Sequence, residues 1–274
     1  YNVTDKETAK VEVPEPKLGT KTITKNGTYK ASDDGMDGYS EVDVETNGVD
    51  INDYFDVMSK ASGIAASYLK KIPDIDTSLY TNTNKMFENC SSLTSIPQLD
   101  TSNVQSMTSM FAYCSLLQTI PQLDTSNVIN MQYMFQRCSS LTSIPPLDTS
   151  NVTNMYGMFQ YCSSLQMLPL LNMEKVKELN SMFQYCTKIS EVGGFQNLGK
   201  AYLTTSSANN TSYNLELRNN KNLTYSSLMN IINNLYDIAS AGIQPQKVNL
   251  GTNNLAKLTA DEISIATNKG WNVS

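Results

Sequence analysis

"MFENCSSLTSIPQLDTSNVQSM" runs from Met86 to Met107, and "MFAYCSLLQTIPQLDTSNVINM" from Met110 to Met131, so nearly the same phrase returns after 24 residues. Met-Phe stands again at Met134-Phe135, Met158-Phe159 and Met182-Phe183. Self-similarity at a fixed period of this length marks a repeat architecture. In one unit, Val104, Met107, Met110, Phe111 and Cys114 fall at the i, i+3, i+6, i+7, i+10 spacing of a helical face. The preceding Asp100, Thr101, Ser102 and Asn103 are residues that cap a first helical turn. Leu117, Ile120 and Leu123 then read as a short extended run, with Pro121 excluding continued helix. The units from Val128 and Val152 repeat the plan. One unit buries too little apolar surface to offset the ordering of its backbone, whereas stacked units bury the same ladder repeatedly. The expected fold is therefore α/β: a solenoid of 24-residue repeats, with a parallel sheet on one face and short helices on the other.

Composition narrows the function. The formal net charge is −6, with 20 Lys+Arg against 26 Asp+Glu, which argues against nucleic acid as a partner. No apolar run approaches the length of a membrane span. Histidine is absent, removing the commonest general acid/base and the commonest metal ligand. The chain opens "YNVTDKETAK" with neither an initiator Met nor a signal peptide, as expected of a processed chain or a fragment.

The phrase "MFxxCSSLTSIPxLDTSNVxxM" resembles the BspA-like leucine-rich repeats of bacterial surface proteins, over roughly residues 72–198. The match loosens at Tyr80 and Thr83, where later units have Val and Met, and at "LNMEKVKELNSMF" from Leu171. Atypical end units are expected where a stack meets solvent. Beyond it, "LELRNNKNL" (Leu215, Leu217, Asn220) and "VNLGTNNLAKL" (Val248, Leu250, Asn253) read LxLxxN. A helix is expected from Ser227 to Gly242. A second is expected between a Thr259 cap and Gly270, followed by the strand "WNVS". Residues 199–274 thus read as two longer repeats forming a C-terminal cap. Residues 1–47 read as a linker and small β module with an Asn26-Gly27 turn, and residues 48–71 as a helical N-terminal cap. The β module is similar to modules of phage tail-associated and Gram-positive surface proteins.

Each candidate site has a structural reading beside its functional one. Cys90, Cys114, Cys138, Cys162 and Cys186 share one repeat position. Their odd number and the lack of C-x-x-C favour buried free thiols over disulfides or zinc. Asp33, Asp34, Asp37 and Glu41 lack the ligand spacing of an EF-hand and read as a turn. No catalytic, metal-binding or cofactor-binding motif is present, so no metal and no cofactor is expected. The position before each Cys varies among Asn89, Tyr113, Arg137, Tyr161 and Tyr185, with Tyr133 and Tyr156 nearby. Tyr and Arg dominate binding hot spots, but these side chains also suit edge packing between neighbouring helices. Both readings stand, the binding candidates being Tyr113, Tyr133, Arg137, Tyr156, Tyr161 and Tyr185. The equivalent strand-side positions are Gln98, Gln122, Pro146 and Leu170, a blander surface. The missing histidine and catalytic motifs point to a non-catalytic protein, and the BspA resemblance implies adhesion at a cell surface, binding a protein or a cell-surface glycan. The β module suggests the alternative of a phage tail component on a virion, attached to a larger assembly through that module.

Overall fold

The computed structural model describes residues 21–22, 27–31, 42–44, 77–201 and 215–274. In the first part, β1 (Lys21–Thr22), β2 (Gly27–Ala31) and β3 (Val42–Val44) form an antiparallel sheet in the order β1-β2-β3. Lys21 pairs with Ala31 and Tyr29 with Val42. The rest of the expected β module and the helical cap expected over 48–71 lie outside the described residues.

Residues 77–201 wind as a stack of coils in which equivalent residues sit side by side 24 positions apart. Asn82, Ser106, Asn130 and Asn154 form parallel bridges in sequence, and Asn154 continues to Glu178. The segment from Met107 to Cys114 is not the helix that its apolar spacing predicts. Its N–H groups alternate in destination. Met107, Ser109, Phe111 and Tyr113 donate to the next coil, at the carbonyls of Asn130, Gln132, Met134 and Gln136, over 2.7–2.9 Å. Met110, Ala112 and Cys114 donate back three residues, to Met107, Ser109 and Phe111. This alternation needs a left-handed residue at every fourth position, and Ser109 (φ 55) and Tyr113 (φ 67) supply it. An α-helix would send every N–H to its own i−4 carbonyl, leaving none for the neighbouring coil. The expected short helices are thus replaced by a chain of turns that still turns Met107, Met110, Phe111 and Cys114 into the core.

The Asp-Thr-Ser-Asn segments do not cap helices either. Each Asp accepts from the N–H of the Ser two residues on, closing a local turn, at 3.0 Å for Asp100 and Asp124. Thr101 and Thr125, both buried, donate their hydroxyls to the carbonyls of Asp124 and Asp148 in the next coil, at 2.8 and 2.9 Å. Asn127 and Asn151 reach the other way, to Ser102 and Ser126, at 2.7 Å. The motif is a clip between coils on both sides.

The opposite face carries less sheet than the sequence suggests. Parallel pairs form between β4 (Met167–Leu168) and β6 (Glu191–Val192), and between β5 (Leu171–Asn172) and β7 (Phe195–Gln196). Earlier coils are joined there by single bonds such as Gln118 N–H to Thr94, at 3.4 Å. Pro97, Pro121 and Pro145 have no N–H to donate, which interrupts a ladder at that position. Gln98 and Gln122 compensate by donating side-chain N–H to the carbonyls of Gln122 and Pro146, at 2.7 and 2.6 Å.

Between the two faces, Phe87, Phe111, Phe135, Phe159 and Phe183 stack with ring centroids 5.5–5.9 Å apart and planes within 16°. Each thiol from Cys114 to Cys186 donates to the carbonyl of a Phe one coil back, over 2.8–3.1 Å. All five thiols are free and buried.

After residue 215 the coils lengthen. Strands β8 (Leu215–Glu216), β9 (Gln246–Asn249) and β10 (Trp271–Val273) form a parallel sheet in the order β10-β9-β8. Three helices are formed among the described residues: α1 (Tyr225–Asn234), α2 (Thr252–Leu255) and α3 (Ala260–Asn268). Thr259 and Glu262 cap α3 reciprocally, and Gly270 (φ 90) follows its end. The first helix stops at Asn234, well before Gly242, because Leu235 turns extended (ψ 135) and its neighbour Tyr236 donates to Leu198 instead. Lys269 holds the open carbonyls of that end, Ile232 and Asn233, at 3.3 and 2.8 Å. The buried asparagine of the second LxLxxN is Asn254, not Asn253: Gly251 (φ 75) shifts the register by one. Asn254 bonds the carbonyls of Asn220 and Leu250, and Asn220 bonds that of Cys186.

Two coil backbones approach closely at Gly193, where a Cβ would sit 2.5 Å from the Leu170 backbone nitrogen. Backbone cannot swing aside as a side chain can. Gly193→Ala should therefore lower stability by about 1–3 kcal/mol, read as an earlier urea midpoint with an unchanged slope. An unshifted midpoint would mean that the coils are not packed as closely as described.

Candidate binding groove

Tyr113, Arg137, Tyr161 and Tyr185 occupy the second left-handed position of successive coils, with φ of 67, 61, 64 and 65°. In the first three a ladder bond from the N–H to the next coil fixes that conformation, from Tyr113 to Gln136 at 2.7 Å, Arg137 to Gln160 at 2.8 Å and Tyr161 to Gln184 at 2.8 Å. With the backbone fixed, the side chains stack on one another. The Arg137 guanidinium lies 5.4 Å from the Tyr113 ring centroid and 4.5 Å from that of Tyr161. The Tyr161 and Tyr185 rings stack at 4.4 Å and 17°. Aromatic and cation–π contacts of this kind are worth about 0.5–1.5 kcal/mol each.

The stack walls an open groove of about 530 Å³, which Asn89 closes at one end and Ser91, Ser115, Ser139 and Ser163 line along its length. Ser115 and Ser139 donate their hydroxyls to the carbonyls of Ser91 and Ser115, both at 3.2 Å. No carboxylate lines the groove, and Arg137 is the single cation among its lining residues. The serines were missed in the sequence, although "CS" recurs in four units and lapses only at Cys186-Thr187.

Tyr133 and Tyr156 do not line this groove. They meet edge to face, with centroids 5.2 Å apart and planes at 83°. Tyr133 occupies the first left-handed position of its coil (φ 56) and lies across Gly157, where a Cβ would come within 2.5 Å of its ring. Burial first, and then a hydrogen bond with Tyr156, raise the Tyr133 phenol above its ordinary range. The six sequence candidates thus separate into a stack of four and a pair.

Other chemistry is sparse. Among the described residues no three His, Cys, Asp or Glu side chains come together as a metal site. No described helix is long and apolar enough to cross a membrane. The thiols are enclosed, and burial raises the pKa of each, to about 12 at Cys90 and Cys186.

The sequence matches the family described as Mycoplasma protein of unknown function, DUF285, over residues 55–143 and 81–194. No curated protein matches it. Among solved structures it is similar to a leucine-rich repeat protein of T. pallidum, at 19% identity and a TM-score of 0.42, over 70% of this chain and 77% of that one. It is also similar to a leucine rich cell surface protein of Faecalibacterium prausnitzii A2-165, at 21% identity and a TM-score of 0.30. That likeness takes in 54% of this chain and 43% of the other.

The enclosed thiols generate a prediction in two parts. Native protein should resist alkylation at mildly alkaline pH, whereas all five cysteines should react once it is unfolded. An unfolded thiol loses its proton near 9.0, while a buried one such as Cys90 holds it to about 12. Their contribution to stability is complete below about 9 and is lost as pH climbs toward 12. Urea titrations across that range should show a falling midpoint, and a variant with all five cysteines replaced by alanine a flatter one. Rapid labelling of the native chain would mean that the core opens.

Proposed function

The chain belongs to the DUF285 family, and from the groove that its coils carry we propose a non-catalytic recognition function. In this reading residues 72–198 are BspA-like leucine-rich repeats of a solenoid, residues 199–274 close it as two longer repeats, and residues 1–47 serve as an attachment module. The protein acts at a cell surface, as an adhesion or partner-binding component. One observation carries the proposal. Four bulky side chains stand at left-handed backbone positions where Asn89 marks the residue type that the turn itself prefers. Holding Tyr or Arg there costs about 1–2 kcal/mol each. Strain kept at a row of half-exposed Tyr and Arg is the pattern of a site retained for contact. The absence of histidine from the sequence and the open shape of the groove support binding rather than turnover.

The test separates contact from folding. In a Tyr113→Asn/Tyr161→Asn/Tyr185→Asn variant, relief of backbone strain offsets the lost stacking, so stability should stay within about 2 kcal/mol of the parent. Binding to a panel of immobilised matrix proteins and polysaccharides should fall at least tenfold. A Gln98→Ala/Gln122→Ala variant should bind as the parent does. If the folded triple variant keeps every interaction of the parent, the groove is not the contact surface.

A further inference from the structure

Arg137 gives the groove a chemical preference. Its guanidinium lies over the rings of Tyr113 and Tyr161, at 5.4 and 4.5 Å from their centroids. Its edge is a different matter. Among the described residues no acceptor and no carboxylate is bonded to the Arg137 guanidinium, and the groove around it has no acidic lining. A guanidinium carries five N–H donors in a planar fork that fits a carboxylate with two parallel bonds. Here the fork is already ordered by the two rings, so a ligand has little side-chain freedom to freeze.

We propose that this groove binds an extended, sparsely acidic saccharide chain, with Arg137 holding one of its carboxylates. The assignment rests on the groove being the contact surface and adds the class of ligand. The rest of the lining favours a sugar chain over a protein. Serine hydroxyls, an asparagine amide and tyrosine hydroxyls are all short-range hydrogen-bonding groups, and no aliphatic side chain lines the groove. A protein partner anchors through apolar and aromatic groups seated in desolvated pockets, whereas this groove is open and its rings are stacked on Arg137 and on one another. Ser115 and Ser139 spend their hydroxyl protons on backbone carbonyls, leaving lone pairs to accept from the hydroxyls of a sugar. The coils are spaced by roughly 4.8 Å, so the row from Asn89 to Tyr185 is about 19 Å long, suited to a linear polymer.

Charge decides how acidic that polymer is. The chain carries a net −6, and at physiological salt its field reaches about 8 Å. A densely charged polyanion meets the net repulsion of the chain and a single cation in return. A polymer with isolated carboxylates keeps the one favourable contact and avoids most of the repulsion.

The experiment uses the full chain with four immobilised probes: hyaluronan, which carries one carboxylate per disaccharide, its carboxyl-reduced form, heparin, and poly-glutamate. Hyaluronan should bind best, carboxyl reduction should cost at least tenfold, and added salt should weaken binding only modestly. Arg137→Gln should lose the same tenfold while Arg137→Lys recovers part of it, with folding of each checked by circular dichroism. Equal binding of the reduced polymer, an unaffected Arg137→Gln variant, tighter binding of heparin or poly-glutamate, or no binding of hyaluronan would each overturn the assignment. The triple tyrosine variant distinguishes the two levels. If it loses polysaccharide binding while Arg137→Gln does not, the groove remains the contact surface and only the acidic ligand is wrong. If neither variant loses binding, both proposals fall.

Discussion

The structure depends on the sharing of backbone N–H groups between a coil and its neighbour. In the segment from Met107 to Cys114, alternate donors close local turns and the others bond the next coil. Backbone polar groups that leave water must find a partner, and neither set suffices alone. Turns without the ladder would leave half of the donors unmet, and a ladder without turns would not bring Met110 and Phe111 to the same interior. The alternation satisfies both and repeats at 24 residues because the sequence does. The phenylalanine stack, the thiol row and the buried threonine clips all inherit their spacing from this ladder rather than setting it.

The same constraint creates the groove. A left-handed residue is required twice per coil, at Lys85 and Asn89, then Ser109 and Tyr113, then Tyr133 and Arg137. The side chain at such a position is aimed by the backbone and has few alternatives. At the second position the side chains of successive coils lie over one another, so whatever occupies that column forms a stack. Gln136, Gln160 and Gln184, one residue earlier, show the same effect as a row of amide hydrogen bonds, a device known from other stacked strands.

Much of this was legible in the sequence, and one part was legible only in disguise. The core residues were plain, since Val, Met, Phe, Cys and Leu recur at fixed offsets and all are buried from Val104 to Cys162. The conformation that buries them was not. A helix and a chain of alternating turns both place i, i+3, i+4 and i+7 on one side, so periodicity alone cannot choose between them. The clues were Asn89 and Gly157, residues at ease with positive φ, standing at the two offsets where the turns demand it. Their signal was diluted by Tyr, Arg and Ser at the same offsets in other coils. The last helix was easier, because its Thr259 cap and Gly270 stop act locally, whereas the helix expected to reach Gly242 ends at Asn234. Asn254 escaped because a single inserted glycine changes the count.

The candidate site was half visible for a related reason. Variation among near-identical units marked Tyr113, Arg137, Tyr161 and Tyr185 as positions that the fold does not dictate, and these are the four that share the groove. Tyr133 and Tyr156 read as nearby exposed positions, but Tyr133 stands at the first left-handed position of its coil and meets Tyr156 edge to face, away from the groove lining. The serines of the groove went unnoticed because they do not vary, and invariance among repeats is also what packing produces. Ser115 and Ser139 do both, since each binds the preceding coil through its proton and faces the groove with its oxygen. In a stacked chain of this kind the fold supplies a fixed row of positions at regular spacing. The contact surface proposed above occupies one of the columns in which the units differ.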